Sequence, residues 1–401
     1  MSTDDVQPII DALANRLGRS VAVDDPSIRL IAASRHFGDE DAIRTRSVLD
    51  REVPRAIVQW VKARGVAGWT GPGHLPADAE LGISPRVCAP VRCNNLLLGY
   101  LWLIDAEQQI GAEELRLTAE VADSVGLVLY RRMLHKERER SQEESTLRML
   151  ISPEREDRRH AIDDLLNENL LAATAHIAVF VIEVAEGGEG DAVALESAVE
   201  QVRRALPPRS TLTLVQQRKA IIVVTGARPA GEQHLRSLAD IVRRRFTEVS
   251  PGQRGCVVGI SASHAGLDSA ALGHREAGTA VRAARMLPMF GPVASWSALG
   301  PFGLLLRVDL DELTEALPLP GLKELLADPA HSGLVTTVEE FLDRAGDVNA
   351  TAEALHVHRT TLYHRLRRAE TVTGLSLNNG LDRLTLHLAL KLSKLATASQ
   401  S

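Results

Sequence analysis

The chain has 401 residues, room for two or three domains, and 45 % of them are hydrophobic, so each can hold a full core. A net charge of −6 means that any basic surface must be local rather than general. The three cysteines, Cys88, Cys93 and Cys256, argue against a disulfide framework or a structural zinc site, and Cys88 and Cys93 are expected as buried thiols rather than a redox pair. The start, MSTDDVQPII, lacks the basic and apolar parts of a signal peptide, and no apolar run nears the ~20 residues of a membrane span. A cytoplasmic protein with no membrane partner is expected.

The first 134 residues predict a helix over 5–17, with Val6, Ile9, Ile10, Leu13 and Leu17 on one side. Two β-rich runs, Ser20–Asp24 and Ile28–Ser34, flank the turn signal Asp25-Pro26-Ser27. A helix over Arg51–Lys62 follows, then a hairpin of Val87–Val91 and Leu96–Ile104 around Arg92–Asn95, then a long helix from Glu113 to Leu134. That order resembles a GAF- or PAS-like α/β sensor. Trp69, Tyr100 and Trp102 either line a small-molecule effector pocket beside the glycine-rich stretch Gly68–Gly73 or pack as core.

The long helix carries Leu117, Val121, Val125, Val128 and Leu129 on one stripe, and beyond His135 charges occupy every side. Residues 135–156 read as a helical linker, a dimer stalk broken at Ser152-Pro153. Over 157–300 the elements run as a strand at His176–Val184, a helix at Ala194–Ala205 and a hairpin of Thr211–Gln216 with Ala220–Thr225. A helix at His234–Phe246, a strand at Cys256–Ser261 and a helix at Ala270–Met286 complete the domain. This βαββαβα order resembles a GGDEF-like domain. A working diguanylate cyclase of that fold needs glycines and metal-binding acids at the hairpin, where this chain has Gln216-Gln217-Arg218-Lys219. Only Glu183 is available on the first strand, and Gly187-Gly188-Glu189-Gly190-Asp191 follows that strand, away from the hairpin. The domain reads as degenerate. No catalytic constellation, cofactor or metal site is expected anywhere in the chain.

Residues 301–333 read as a helical connector with Leu310, Leu313, Leu317, Leu322, Leu325 and Leu326 on its apolar side. Residues 334–396 are the most informative. Val335–Arg344 predicts a helix ended by Gly346. Ala350–Leu355 and Arg359–Ala369 predict two helices joined by His356-Val357-His358. Val348, Ala352, Leu355, Val357, Leu362 and Leu366 face inward, and Ala352 is small enough to let the second helix cross closely. The outward set is His358, Arg359, Thr360, Thr361, Tyr363, His364, Arg365, Arg367 and Arg368, with no acid from Arg359 to Ala369. Donors and hydroxyls without acids suit phosphates and guanine edges in a major groove. A closing helix, Leu381–Leu395, is expected to bury Leu381, Leu384, Leu388, Leu392 and Leu395 as one stripe.

His358-Arg359-x-Thr361-Leu362-x-x-Arg365-Leu366-x-Arg368 resembles the C-terminal helix-turn-helix of the PucR/CdaR family of bacterial transcription regulators, and the flanks from Leu317 to Leu395 resemble it too. The resemblance implies a multidomain α+β regulator, with sensor, stalk, GGDEF-like domain and all-α helix-turn-helix. It would bind double-stranded DNA as a homodimer or higher homo-oligomer under control of a small-molecule effector. Arg359, Thr361 and Tyr363 are expected at base edges. Arg365, Arg367 and Arg368 are expected on phosphates, with one of them free to turn inward as a structural arginine. The competing reading is a degenerate cyclic-nucleotide receptor or signalling scaffold whose helix-turn-helix-like segment binds protein.

Overall fold

The computed structural model describes residues 6–38, 53–168, 170–172, 175–184, 188, 190–250, 255–307 and 320–399. Leu310, Leu313 and Leu317 of the expected connector, and Gly187 and Glu189 of the glycine-rich loop, lie outside them. The chain is a mixed α+β protein of two compact units, residues 1–141 and 142–401.

The first unit is an antiparallel sheet with helices on both faces. Its elements are α1 (Gln7–Leu17), β1 (Val21–Asp24), β2 (Leu30–Ala33), α2 (Arg55–Ala63), β3 (Gly73–Leu75), β4 (Arg86–Cys93), β5 (Leu96–Ile104) and the start of α3 (Ala112–Leu150). The sheet order is β2-β1-β5-β4-β3. Asn94 and Asn95 both take positive φ, 49° and 63°, as a tight two-residue hairpin turn requires, which fixes the β4–β5 register. Successive strand side chains point to opposite faces. Val87, Ala89, Leu101 and Leu103 therefore pack under α1 and α3, while Cys88, Tyr100 and Trp102 pack under α2. Two buried faces explain the unbroken apolar run LLLGYLWLI in β5. The short strand β3 has too little alternation to be seen in sequence; it pairs with β4 through Gly73↔Cys88.

In the second unit, the last turns of α3 and the helix α4 (Arg155–Asn167) bury Leu147, Leu150, Ala161 and Leu165 on one face of a second sheet. That sheet contains β6 (His176–Val184), β7 (Thr211–Val215), β8 (Lys219–Gly226), β9 (Cys256–Ile260), β10 (His264–Ala265) and β11 (Val293–Ser295). The order is β11-β9-β6-β8-β7, with β10 on the end of β6 and β11 parallel to β9. Helix α5 (Asp191–Ala205) and α6 (Glu232–Val249) cover the opposite face around Phe180 and Phe246, while α7 (Ala270–Met286) joins the α4 side. Glu143, on the α3 extension, accepts hydrogen bonds from the Thr213 amide (2.8 Å) and hydroxyl (3.1 Å) and pairs with Arg203. The end of the predicted stalk is thus part of this core. The predicted break at Ser152-Pro153 is present, but α4 after it was not legible: its charges mask the apolar Ala161 and Leu165.

Among the described residues from Pro320 onward there are five α-helices: α8 (Pro320–Ala327), α9 (Ser332–Asp343), α10 (Val348–Ala354), α11 (Arg359–Thr373) and α12 (Gly380–Ser399). Their shared core contains Leu325, Val338, Ala352, Leu362, Leu366, Ala369, Leu386 and Leu390. Leu381 and Leu384, expected inside, are instead 71 % and 55 % exposed; α12 turns Leu386, Ala389 and Leu390 inward. A heptad-like reading of five leucines missed a helix whose apolar residues occupy more than one stripe. Further along, Leu395 is fully buried with Ala280, Ala283 and Leu287 at the end of α7.

Candidate nucleic-acid interface

The helix pair is built from its ends inward. Asp347 caps α10: its carboxylate accepts from the amides of Asn349 (2.8 Å) and Ala350 (3.0 Å). These backbone bonds, Ala350 first, hold its pKa below the usual carboxylate value. The chain leaves α10 through His356, whose φ of 53° makes the sharp turn, and the Val357 amide bonds the Ala352 carbonyl at 3.0 Å. Val357 and Leu355 are half-buried against the common core, so the turn is pinned by packing as well as by hydrogen bonds.

His358 caps α11. Its Nδ1 accepts from the Thr360 amide (3.4 Å) and lies 2.9 Å from the Thr360 hydroxyl. The cap leaves no acid in the first turn, so the positive end of the helix dipole faces outward unopposed. Leu362 (0 % exposed), Leu366 and Ala369 anchor the inner face. On the outer face an open depression is lined by Thr360, Tyr363, His364, Arg367, Arg368 and Thr371. Arg359 and Thr361 are exposed beside it. Arg365 differs from its neighbours. It is half-buried, and its Nη1 donates to the Thr337 hydroxyl on α9 at 3.4 Å. Thr371 was not anticipated, although the spacing of Thr360, His364 and Arg367 points to it.

Two supports hold α11 in place. At its C-terminal end Gly374 takes a φ of 71°, its amide bonds the Glu370 carbonyl, and the Glu370 carboxylate accepts from the Leu377 amide at 2.7 Å. There α8 crosses so closely that a Cβ on Gly321 would lie 2.3 Å from the Val372 carbonyl oxygen. Across the domain, Lys391 bridges Glu339 (2.9 Å) and Asp343 (2.7 Å), tying α12 to α9. Burial works against the Asp343 charge, but hydrogen bonds from Lys391 and His387 outweigh it and hold its pKa below normal.

The aromatic candidates lie in the first unit. Tyr100 and Trp102 are buried side by side, ring centroids 5.8 Å apart, and Trp69 is half-buried in the same cluster. Trp102, with Trp60, Asp24 and Arg86, lines a small cavity; Tyr100 and Trp69 are not in its wall. The Trp102 indole N–H is buried without a hydrogen-bond partner. Trp60 is fixed by Asp78 (2.7 Å) and by the Arg64 guanidinium 3.6 Å above its ring. Cys88 and Cys256 are buried free thiols, and Cys93 is half-buried. Burial raises the Cys256 pKa to about 11. At the β7–β8 hairpin Glu183 is engaged by Lys219 (3.7 Å) and Arg285 (3.3 Å). Among the described residues no group of three acids, histidines or cysteines is placed to hold a metal ion, and no helix is long and apolar enough to cross a membrane.

Comparison with known proteins agrees with this geometry. Residues 334–392 match the PucR C-terminal helix-turn-helix domain, and residues 152–283 match the GGDEF-like domain. The chain is 24 % identical to the DNA-binding transcriptional activator AdeR of Bacillus subtilis (strain 168), over 98 % of this chain and 93 % of AdeR. It is 22 % identical to the proline-responsive transcriptional activator PutR of the same organism, over 98 % and 97 %. A crystal structure of the regulator of polyketide synthase expression from Bifidobacterium adolescentis aligns with 64 % of this chain and 93 % of that one, at 20 % identity and a TM-score of 0.33. On its two matched domains and its full-length relatives, the chain is a transcriptional regulator with a PucR-type, DNA-binding helix-turn-helix domain at its C-terminal end and a GGDEF-like domain before it.

Proposed function

We propose that the chain is an effector-responsive regulator that binds a two-fold operator through a pair of α11 helices. The observation that carries this is the outer face of α11, where three exposed arginines, a tyrosine and hydroxyls stand on a rigid helix with no acid among them. Arg359, Thr361 and Tyr363, near the N-terminus of that helix, read base edges, as first-turn residues of a recognition helix do. Arg367 and Arg368 hold phosphates, with His358, Thr360 and His364 beside them. Arg365 braces the helix against Thr337. Binding to a panel of operator variants tests the division. Arg359→Ala should weaken the preferred sequence by ~1–3 kcal/mol and relax specificity, while Arg368→Ala should weaken all sequences alike. Equal losses at every sequence for both would refute it.

Residues 1–134, within the first unit, are read as the GAF- or PAS-like effector module, supported by the two-faced antiparallel sheet and by the unpartnered Trp102 N–H beside a cavity. The relative PutR is described as proline-responsive, which favours a small metabolite as the effector class. Of the predicted stalk (135–156), the part before Gln142, ahead of the turns packed into the second core, would pair with a second copy; Met133 and Leu134 stand exposed at its start. The GGDEF-like domain (157–300) would relay the signal without catalysis, since its hairpin has no carboxylate and Glu183 is held in ion pairs. The connector (301–333) and helix-turn-helix domain (334–396) follow. Pairing of two chains would set the distance between reading helices, which must match half-sites ~34 Å apart.

A further inference from the structure

Between α2 and the first sheet lies a cavity of about 40 Å³. Asp24 on β1, Trp102 on β5 and Arg86 on β4 stand in its wall. Trp102 is paired across the strands with Ala22 on one side and Cys88 on the other. Alternation puts Asp24 on the same face as Ala22, and Arg86 on the same face as Cys88. The two charges therefore flank Trp102 from opposite directions along the strands. Both reach Cys88: burial and then Asp24 push its thiol pKa up, and Arg86 pulls it down. Much of the remaining wall is aliphatic, with Ile57 and Val61 from α2 and Ile83 facing the sheet. Two indoles border the space. The Trp60 N–H is taken by Asp78 at 2.7 Å. Trp102 is only 8 % exposed, and its N–H has no partner among the described residues. A buried donor is normally satisfied, so an acceptor is wanted at this wall.

We propose that this cavity binds a small aliphatic amino acid as its zwitterion. The inference rests on the reading of residues 1–134 as the effector module and gives that module's ligand a chemistry. The ligand carboxylate accepts from the Trp102 N–H and the Arg86 guanidinium, and the ammonium donates to Asp24. The short side chain lies against Ile57, Val61 and Ile83. A carboxylate and a guanidinium each offer several bonding positions, so the bonds they already hold within the chain do not close them to a ligand. Charge selects the class. A bare carboxylate would leave Asp24 facing a like charge, and a bare amine would do the same to Arg86, in a wall too apolar to screen either. Size narrows it further. The space is roughly three times what a single water needs, which admits a side chain of a few carbons and excludes a nucleobase or an aromatic amino acid.

The test is calorimetric titration of the full chain with L-2-aminobutyrate, with butyrate, which lacks the ammonium, and with propylamine, which lacks the carboxylate. One saturable site per chain is expected for aminobutyrate, with butyrate and propylamine weaker by about tenfold or more and L-tryptophan not bound. Asp24→Asn should weaken aminobutyrate by about tenfold and tighten butyrate, so that the preference between them is lost; a merely structural role for Asp24 would weaken both alike. Trp102→Phe keeps a ring and removes the N–H, and should weaken aminobutyrate severalfold. A cooperative melt shows that each variant is folded. Absence of saturable binding, butyrate as tight as aminobutyrate, or unchanged affinity and preference in the folded variants would each overturn the proposal. The effector reading is measured separately, as DNA affinity with and without aminobutyrate. Saturable binding that leaves DNA affinity unchanged upholds the site and removes its effector role. A shift of DNA affinity by a small-molecule cell extract, with no aminobutyrate binding, overturns this ligand class and leaves the effector reading standing.

Discussion

The arginines of α11 give a prediction that can be worked to a number. Arg367 and Arg368 are exposed, whereas Arg365 spends its donor on Thr337. Each phosphate neutralised on duplex DNA contributes about 0.9 to the slope of log K against log salt. Removing both Arg367 and Arg368 should therefore lower the slope by ~1.8 per reading helix and ~3.6 for a symmetric pair. Between 50 and 200 mM salt, that is about a hundredfold of salt sensitivity lost for the pair. Arg365→Ala should leave the slope unchanged and reduce thermal stability by ~1 kcal/mol, the net worth of one hydrogen bond. Fluorescence anisotropy on one labelled operator across a salt series reads the slopes, and a melt reads the stability. If Arg365→Ala lowers the slope by ~0.9 per helix while the double variant does not, α11 meets DNA with a different face and the assignment of its arginines is wrong.

Three further outcomes follow from packing and charge. Leu362→Ala, at a fully buried position, should destabilise the C-terminal helices by about 2–5 kcal/mol, seen as an early transition in calorimetry with DNA binding lost at the same temperature. Gly321→Ala should loosen α8 from α11, because the new Cβ meets backbone and cannot be absorbed by a side-chain rotation; faster amide exchange at the C-terminal end of α11 would show it. His274 has a pKa lowered to about 4 by burial first and then by Lys219 and Arg275. Its folded pKa lies below the unfolded value of 6.5, so its contribution is present above pH 6.5 and is lost as pH falls toward 4. Urea unfolding at pH 7.5 and pH 5 should differ by at most about 2 kcal/mol from this group, and His274→Gln should remove that part of the difference.

What could be read in the sequence followed the strength of local signals. The helix-turn-helix was legible because its apolar residues are short-range and strictly spaced, and because Ala352 and the basic outer face are both unusual. β6 and α7 were legible to the residue, being long and apolar or strongly periodic. What was missed lacks a local signal. β3, β10 and β11 are two or three residues each and exist only through their partners. The exposure of Leu381 and Leu384 depends on which way α12 rolls against α9, set by distant contacts such as Lys391 with Glu339 and Asp343. The inward turn of one arginine was foreseeable, but which one depends on Thr337, 28 positions upstream.

In the proposed function, α11 reads a DNA sequence. The most direct test is to capture fragmented genomic DNA with the purified chain at two salt concentrations and sequence what is retained, with Arg359→Ala alongside. A small set of sites sharing a two-fold motif is predicted, enriched further at the higher salt and lost or blurred in the variant. Recovery of the same fragments by both proteins, with no shared motif at either salt, would contradict it.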